Sequence, residues 1–486
     1  MYANIMTILL MNSTWLTYYC MSTHNTVHRA TNKRISNFAK KLQLCGTEDE
    51  MRLVAGKICR KYLHGAWKTV DPADLYFSRI SGGLSNFLYM VGLPDDVSKL
   101  GVYDHRDSSP DEEPDLIRRR SNSFTMEEPK KVLLRIYGQV HGERAMDAIV
   151  TESVIFTLLS ERKLGPKLYG VFSGGRIEEY IPARALVSRE LSDPAISMKI
   201  AEKMAAVHSM AVPLSKDPDW LWKTCYKWLK TVKDDLDTGR VKGKNEKEEK
   251  MIQLINTVDF DKELTWLKKY LATINSPVVF CHNDLQRGNI LLFDEASTGQ
   301  TDCDTYSEEQ FKDMSVYEDY NTSDSMSSRV SDSGEPRIAL IDFEYCAYNH
   351  RGFDIANHFL EWSFDYNNPD PPYFSENKDE LPTLEQKEIF IKEYLKHYHI
   401  NAMEGNTEPP TVDEVNQLLS EVEAFTLSCH LLWTLWSFVN AFKSKITFGY
   451  WEYAQIRIDN YYRVKQEIIK KSNGGGQKRK ICEVDI

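Results

Sequence analysis

Two short apolar runs with a polar loop held between them restrict the fold more than any other feature of this chain. Val278–Cys281 and Ile290–Phe293 have the length and composition of buried strands, and His282-Asn283-Asp284-Leu285-Gln286-Arg287-Gly288-Asn289 joins them. A third apolar run, Ile338–Ile341, lies well downstream and ends in Asp342-Phe343-Glu344. Strands of this kind must pair and be covered, so the carboxylates at their ends gather at one edge of a packed body.

The rest of the chain builds an α+β frame around these strands. Apolar residues recur at helical spacing from Glu48 to Val70, which predicts an opening amphipathic helix. Leu75–Ile80, Phe87–Val91 and Lys131–Tyr137 read as strands, Ala145–Arg162 as a helix, and a further strand pair ends near Ile181-Pro182. Beyond Pro182 the pattern is mainly helical. Thr383 with Gln386, and Thr411 with Glu414, have the spacing of capping boxes and predict two helix starts. The expected organisation is an N-terminal extension (1–45), a small β-rich lobe (46–182), a large mainly helical lobe (183–471) and a tail (472–486). Segments 101–130 and 294–336 are too polar to order themselves and read as long loops grafted between strands.

Composition narrows the functional classes. The net charge of −11 excludes a general nucleic-acid-binding face, which would have to be basic. Nine scattered cysteines with no CxxC pair read as reduced thiols in a cytoplasmic protein, not a disulfide framework or a zinc site. Ile5–Met11 is too short and too interrupted for a membrane span, and neither a basic flank nor a cleavage site marks it as a signal.

The loop from His282 to Asn289 carries the chemistry. Phosphoryl transfer needs a carboxylate beside the attacking hydroxyl and a metal-facing group a short way on; Asp284 and Asn289 have that H-x-D-x-x-x-x-N spacing. Taken alone, the same residues could form a polar turn braced by a buried aspartate. Asp342 and Glu344 at a strand end offer hard oxygen ligands suited to Mg²⁺, although strand-end carboxylates also cap turns. Ser81-Gly82-Gly83-Leu84-Ser85-Asn86 between two strands could bring backbone N–H groups to phosphate oxygens, or could serve only as a hairpin. Arg135 stands mid-strand, where a charge needs a partner unless it points to solvent, and Glu152 on the next helix is a candidate.

The run Ile341-Asp342-Phe343-Glu344-Tyr345, followed by Asn349, Phe353-Asp354 and Glu361-Trp362, resembles the signature of the choline/ethanolamine kinase family. The resemblance extends from about residue 48 to 470 and includes Gly165–Gly170 and Phe448-Gly449-Tyr450. It implies a bilobal protein-kinase-like fold, ATP and Mg²⁺ as cofactors, and a choline kinase acting at the start of phosphatidylcholine synthesis. By the same resemblance Ser81, Gly82, Gly83, Leu84, Ser85, Asn86, Phe87, Arg135, Glu179, Tyr180, Ile181, Pro182, Gln286 and Asp342 contact ATP. Asp284 becomes the base, with Gln286 and Asn289 in the catalytic loop, and Asn289, Asp342 and Glu344 surround the metal. A homodimer is compatible with the resemblance; membrane insertion is not expected. Arg287 departs from the pattern, since relatives commonly carry Glu there.

A quaternary ammonium cannot donate a hydrogen bond, so aromatic faces and carboxylates must hold it. Trp433 and Trp436 share a helix face, which is equally the pattern of a core stripe. The resemblance places Tyr366, Phe448 and Tyr453 with them, Glu361 as the counter-charge and Tyr345 nearby. Ethanolamine is the alternative substrate. A catalytically silent scaffold is a third reading, which the presence of Asp284, Asn289 and Asp342 disfavours.

Overall fold

The computed structural model describes residues 47–80, 86–95, 128–137, 144–172, 174–239, 243, 245–293, 336–402, 407–444 and 446–474. The 1–45 extension, Ser81–Ser85, nearly all of 101–130 and 294–336, and the tail beyond Gly474 lie outside them. The described residues divide into two units, one ending at Ile181 and the other beginning at Pro182.

The first unit opens with α1 (Glu48–Tyr62). Thr47 Oγ1 accepts the Glu50 N–H, and the Glu50 carboxylate accepts the Thr47 N–H, so two otherwise orphaned donors are satisfied. The apolar spacing continues to Val70, but the helix does not. Leu63 is extended, Gly65 takes φ +54°, and Gly65–Lys68 forms a short 3₁₀ turn that sets Trp67 into the core. The Trp67 indole then donates to Pro129 O at 2.8 Å.

Strands β1 (Tyr76–Ile80), β2 (Asn86–Gly92) and β3 (Lys131–Tyr137), helix α2 (Arg144–Glu161), β4 (Leu168–Phe172) and β5 (Gly175–Glu179) follow. The sheet is antiparallel with order β1-β2-β3-β5-β4. Val132, Leu134 and Ile136 alternate along β3 and join Met51, Val54 and Ile58 of α1 in one apolar cluster.

The second unit contains β6 (Ala183–Ala185), α3 (Ser188–Leu191), α4 (Pro194–His208), α5 (Trp220–Asp237), α6 (Glu246–Thr257) and α7 (Phe260–Leu271). Next come β7 (Val278–Cys281), β8 (Ile290–Phe293), β9 (Ile338–Leu340), β10 (Ala347–His350) and α8 (Arg351–Glu361). The short pair β11 (Phe364–Asp365) and β12 (Ser375–Glu376) leads to α9 (Leu384–Ala402), α10 (Val412–Lys443) and α11 (Tyr450–Gly474). Both expected capping boxes form, at Thr383–Gln386 and Thr411–Glu414. The last helix runs to Gly474, three residues into the expected tail.

Two small sheets position the loop from His282 to Asn289. β7 pairs with β10, while β8 sits between β6 and β9. Each end of the loop is therefore anchored to a different ladder. Helix α10 is long and apolar enough to cross a membrane by length and composition, but most of it is buried, packed against α5, α8 and α11.

Candidate active site

The loop is held by hydrogen bonds that leave little freedom. Asp354, fully buried on α8, accepts the His282 N–H at 2.8 Å and the Asn283 N–H at 2.7 Å, and its Oδ2 lies 2.9 Å from His208 Nε2. Burial opposes the Asp354 charge, but the hydrogen bond and positive field of His208 outweigh it and hold the carboxyl below its ordinary value. Cys281, His208 and Asp354 lie close enough to suggest metal ligands, yet the carboxylate is already spent on three hydrogen bonds. This cluster is a brace for the loop.

His282 Nε2 lies 3.0 Å from Ile341 O and Nδ1 accepts the Asp284 N–H, as a neutral imidazole donating through Nε2 would do. Asn283 adopts φ +66°, a left-handed conformation that Asn tolerates better than most residues, and its side chain bridges Tyr345 O and the Asn349 amide. Asn289 Nδ2 donates to Asp284 O at 2.8 Å and Asp284 Oδ2 at 3.2 Å. The sequence pair Asp284/Asn289 is thus a spatial pair. Gln286 caps the 3₁₀ turn Arg287–Asn289 by accepting the Gly288 N–H through its side chain.

Asp342 follows β9 with φ +64°, which is strained for a non-glycine residue and places it at the end of the strand. Burial, then the charges of Glu361, Asp342 and Glu344, push the Asp284 carboxyl well above the usual carboxylate range. Four carboxylates therefore share one field. The oxygens of Asn289, Asp342 and Glu344 are the hard donors a Mg²⁺ ion takes, so the residues present fit the expected metal.

A second cluster surrounds Glu361 at the end of α8. Its Oε2 accepts from the Tyr366 hydroxyl at 2.7 Å, and its Oε1 pairs with Arg457 of α11. The Tyr366 and Tyr453 hydroxyls are 3.0 Å apart, and Arg457 also bonds Tyr453. Ring contacts run from Tyr345 to Trp433 (5.9 Å), Trp433 to Trp436 (5.8 Å), Trp436 to Tyr453 (6.3 Å), Tyr453 to Tyr366 (6.2 Å) and Tyr366 to Phe448 (6.3 Å). All the expected aromatic residues are brought together. Trp433 is also a core residue, 6% exposed, whose indole donates to Asn357.

The residues expected to hold ATP belong partly to each unit. Pro182, Gln286 and Asp342 lie in the second. In the first, Asn86 and Phe87 begin β2 opposite Tyr137 and Ile136, while Glu179 ends β5 and is followed by Tyr180 and Ile181. The Glu179 carboxylate accepts the Lys167 N–H at 3.0 Å. Arg135 is 2% exposed and stands opposite Arg176 in the β3–β5 ladder. Two like charges so placed repel. Glu178, which the sequence did not single out, resolves this by accepting from Arg135 Nε at 2.8 Å and Arg176 Nε at 2.6 Å. Burial opposes the Glu178 charge, but the two guanidiniums still hold its carboxyl below the ordinary value. Glu152 is ion-paired with Arg176, extending the same network.

Sequence reasoning named Asp354 only as part of a signature, without a role, and missed Arg457 and Glu178. A charge inside the apolar run Phe353-Asp354-Ile355-Ala356 was a usable signal for the first, and the four-residue spacing from Tyr453 to Arg457 for the second.

The sequence model of the choline/ethanolamine kinase family matches residues 77–462. The human choline/ethanolamine kinase is 37% identical over 410 residues, covering 84% of this chain and 85% of that protein. Choline kinase A2 of Caenorhabditis elegans is 38% identical over 424 residues, covering 86% and 87%. Among solved structures, an ethanolamine kinase of Plasmodium vivax superposes with a TM-score of 0.58 at 22% identity, covering 89% of this chain and 96% of that one. That similarity shows the fold.

Proposed function

This chain belongs to the choline/ethanolamine kinase family, and from that premise we propose that it is a choline kinase, transferring the γ-phosphoryl group of MgATP to the choline hydroxyl. The products are phosphocholine and ADP.

The observation that carries the reading is the state of Glu361. Both of its oxygens are engaged, one by Arg457 and one by Tyr366, inside a ring of aromatic faces. Its charge is largely balanced, so a bound amine gains most from the aromatic faces, at about 0.5–2 kcal/mol each. Such a site favours a methylated ammonium, which has no N–H to satisfy. Ethanolamine is the second reading, supported by the Tyr366 and Tyr453 hydroxyl oxygens, which a primary ammonium could reach as acceptors.

Asp284 orients the substrate hydroxyl and takes its proton as the oxygen attacks phosphorus. Burial and the surrounding carboxylates keep its affinity for protons high. A cationic amine near Glu361 offsets part of that repulsion and favours the ionised base. Asn289 holds the carboxylate through Nδ2. Asn289, Asp342 and Glu344 would hold Mg²⁺, which would supply charge neutralisation for the transferring phosphoryl group.

Coupled ADP-release assays with choline and ethanolamine, using Asp284→Ala as the control, test both readings. Choline is expected to give the higher kcat/KM. Turnover that neither amine raises above the control overturns the kinase reading; a higher kcat/KM for ethanolamine overturns only the choice of substrate.

A further inference from the structure

Arg287 lies inside the catalytic-loop segment between Asp284 and Asn289, and its surroundings give it a task. It is 3% exposed in the turn leading to Asn289. Its Nη1 donates to Ser188 Oγ on α3, and its Nη2 pairs with Asp365 Oδ1 on β11. The same Asp365 oxygen accepts the Asn367 N–H at 2.7 Å, which fixes the carboxylate as a receptor. Tyr366 is the next residue, and its hydroxyl reaches Glu361 and Tyr453. One guanidinium thus joins the turn carrying Asn289, partner of Asp284, to the strand carrying one wall of the amine cage.

We infer that Arg287 is a positioning residue that sets the separation between the catalytic carboxylate and the amine cage, and so determines which length of amino alcohol the site accepts. The inference rests on the choline kinase reading. An amino alcohol binds at two points, the ammonium in the cage and the hydroxyl at Asp284. The chain between them must match the span, and a misplacement of about 1 Å costs on the order of 100-fold in rate. Arginine suits the task because its planar fork can hold Ser188 and Asp365 simultaneously, which a lysine ammonium on a flexible stem does less well.

The test uses the full-length enzyme with Arg287→Ala, Arg287→Lys, Asp365→Asn and the double variant Arg287→Ala/Asp365→Asn. Measured quantities are KM for choline, KM for ATP, and the ratio of kcat/KM for choline to that for the homologue with one more methylene. Arg287→Ala and Asp365→Asn are each expected to raise the choline KM about tenfold, leave the ATP KM within about twofold, and reduce the preference for choline over the longer alcohol. The double variant should be no worse than the weaker single, because both remove one link. Arg287→Lys should recover part of the loss.

Additive losses, an equal rise in the ATP KM, or an unchanged length preference would overturn the inference. Should Arg287→Ala fail to fold, Asp365→Asn and Arg287→Lys decide it alone, since the Asp365 side chain is 44% exposed and its loss is tolerable. A wild-type enzyme that turns over neither amine would instead remove the functional reading.

Discussion

Asp284 and Arg457 show how differently two buried charges can be used. Asp284 is held above its ordinary pKa by burial and neighbouring carboxylates, a poised state useful to a base. Arg457 is fully buried and committed to Glu361 and Tyr453, with its guanidinium 4.1 Å from the Phe364 ring centre. The first was legible in sequence because its partner Asn289 is five positions away within one loop. The second was not, because Glu361 is on another helix, 96 positions away, and only folding brings them together. Replacement of Asp284 by Asn should lower kcat by about 10²–10⁴-fold while leaving thermal stability near wild type, as steady-state kinetics and a melting curve would record. Arg457→Met strands the Glu361 charge among aromatic rings. It should cost roughly 3–5 kcal/mol in denaturant unfolding, a much larger structural penalty than the catalytic substitution carries.

At the scale of elements, α8 does more for the site than any strand. All its residues are buried, and it reaches the loop at Asp354 and again at His358, whose Nδ1 lies 3.0 Å from Leu285 O. His358 Nε2 accepts the Trp362 indole N–H, so the ring must be neutral to satisfy both partners. Burial pulls its pKa down from 6.5 to about 4. A depressed folded pKa means that the unfolded chain takes the proton first, so this contribution is whole above pH 6.5 and is lost as pH falls toward 4. Unfolding free energy should therefore drop by about 2 kcal/mol between pH 7 and pH 5 on account of this residue. Denaturant titrations of wild type and His358→Gln at both pH values should show a shallower fall in the variant. Asp354 and Glu178, also depressed, would add losses of the same sign at lower pH, whereas Asp284 acts in the opposite sense.

Elements with strong local signals were legible: Lys131–Tyr137 was bounded correctly, and both capping boxes form. The opening helix was overestimated because apolar spacing persists through the 3₁₀ turn, where Gly65 at positive φ has already broken the helix. Pairings such as β7 with β10 join residues far apart in sequence, and no local pattern announces them.

At the scale of the whole molecule, the net charge is concentrated in one segment of the sequence. Residues 294–336 carry twelve acidic residues against two basic ones, which accounts for ten of the chain's eleven net negative charges. The strands on either side pair directly with each other: Ile290, Leu291 and Leu292 face Leu340, Ala339 and Ile338 in register. The Phe293 N–H donates to Arg337 O at 3.1 Å, and the Arg337 guanidinium lies 4.9 Å from the Phe293 ring centre. An antiparallel ladder of this kind needs only a turn of about two to five residues to close it. Replacing 295–335 with a short Asn-Gly turn should therefore leave kcat and the KM values for choline and ATP within about twofold of wild type, because Asp342 and Asn289 remain fixed by the ladder. Loop-closure entropy favours the shorter connection slightly, so the melting temperature should hold or rise. Elution from an anion exchanger should move to markedly lower salt. A tenfold loss of kcat/KM in a variant that still melts cooperatively would show that the acidic segment takes part in the reaction, and that β8 and β9 alone do not hold the catalytic carboxylates in place.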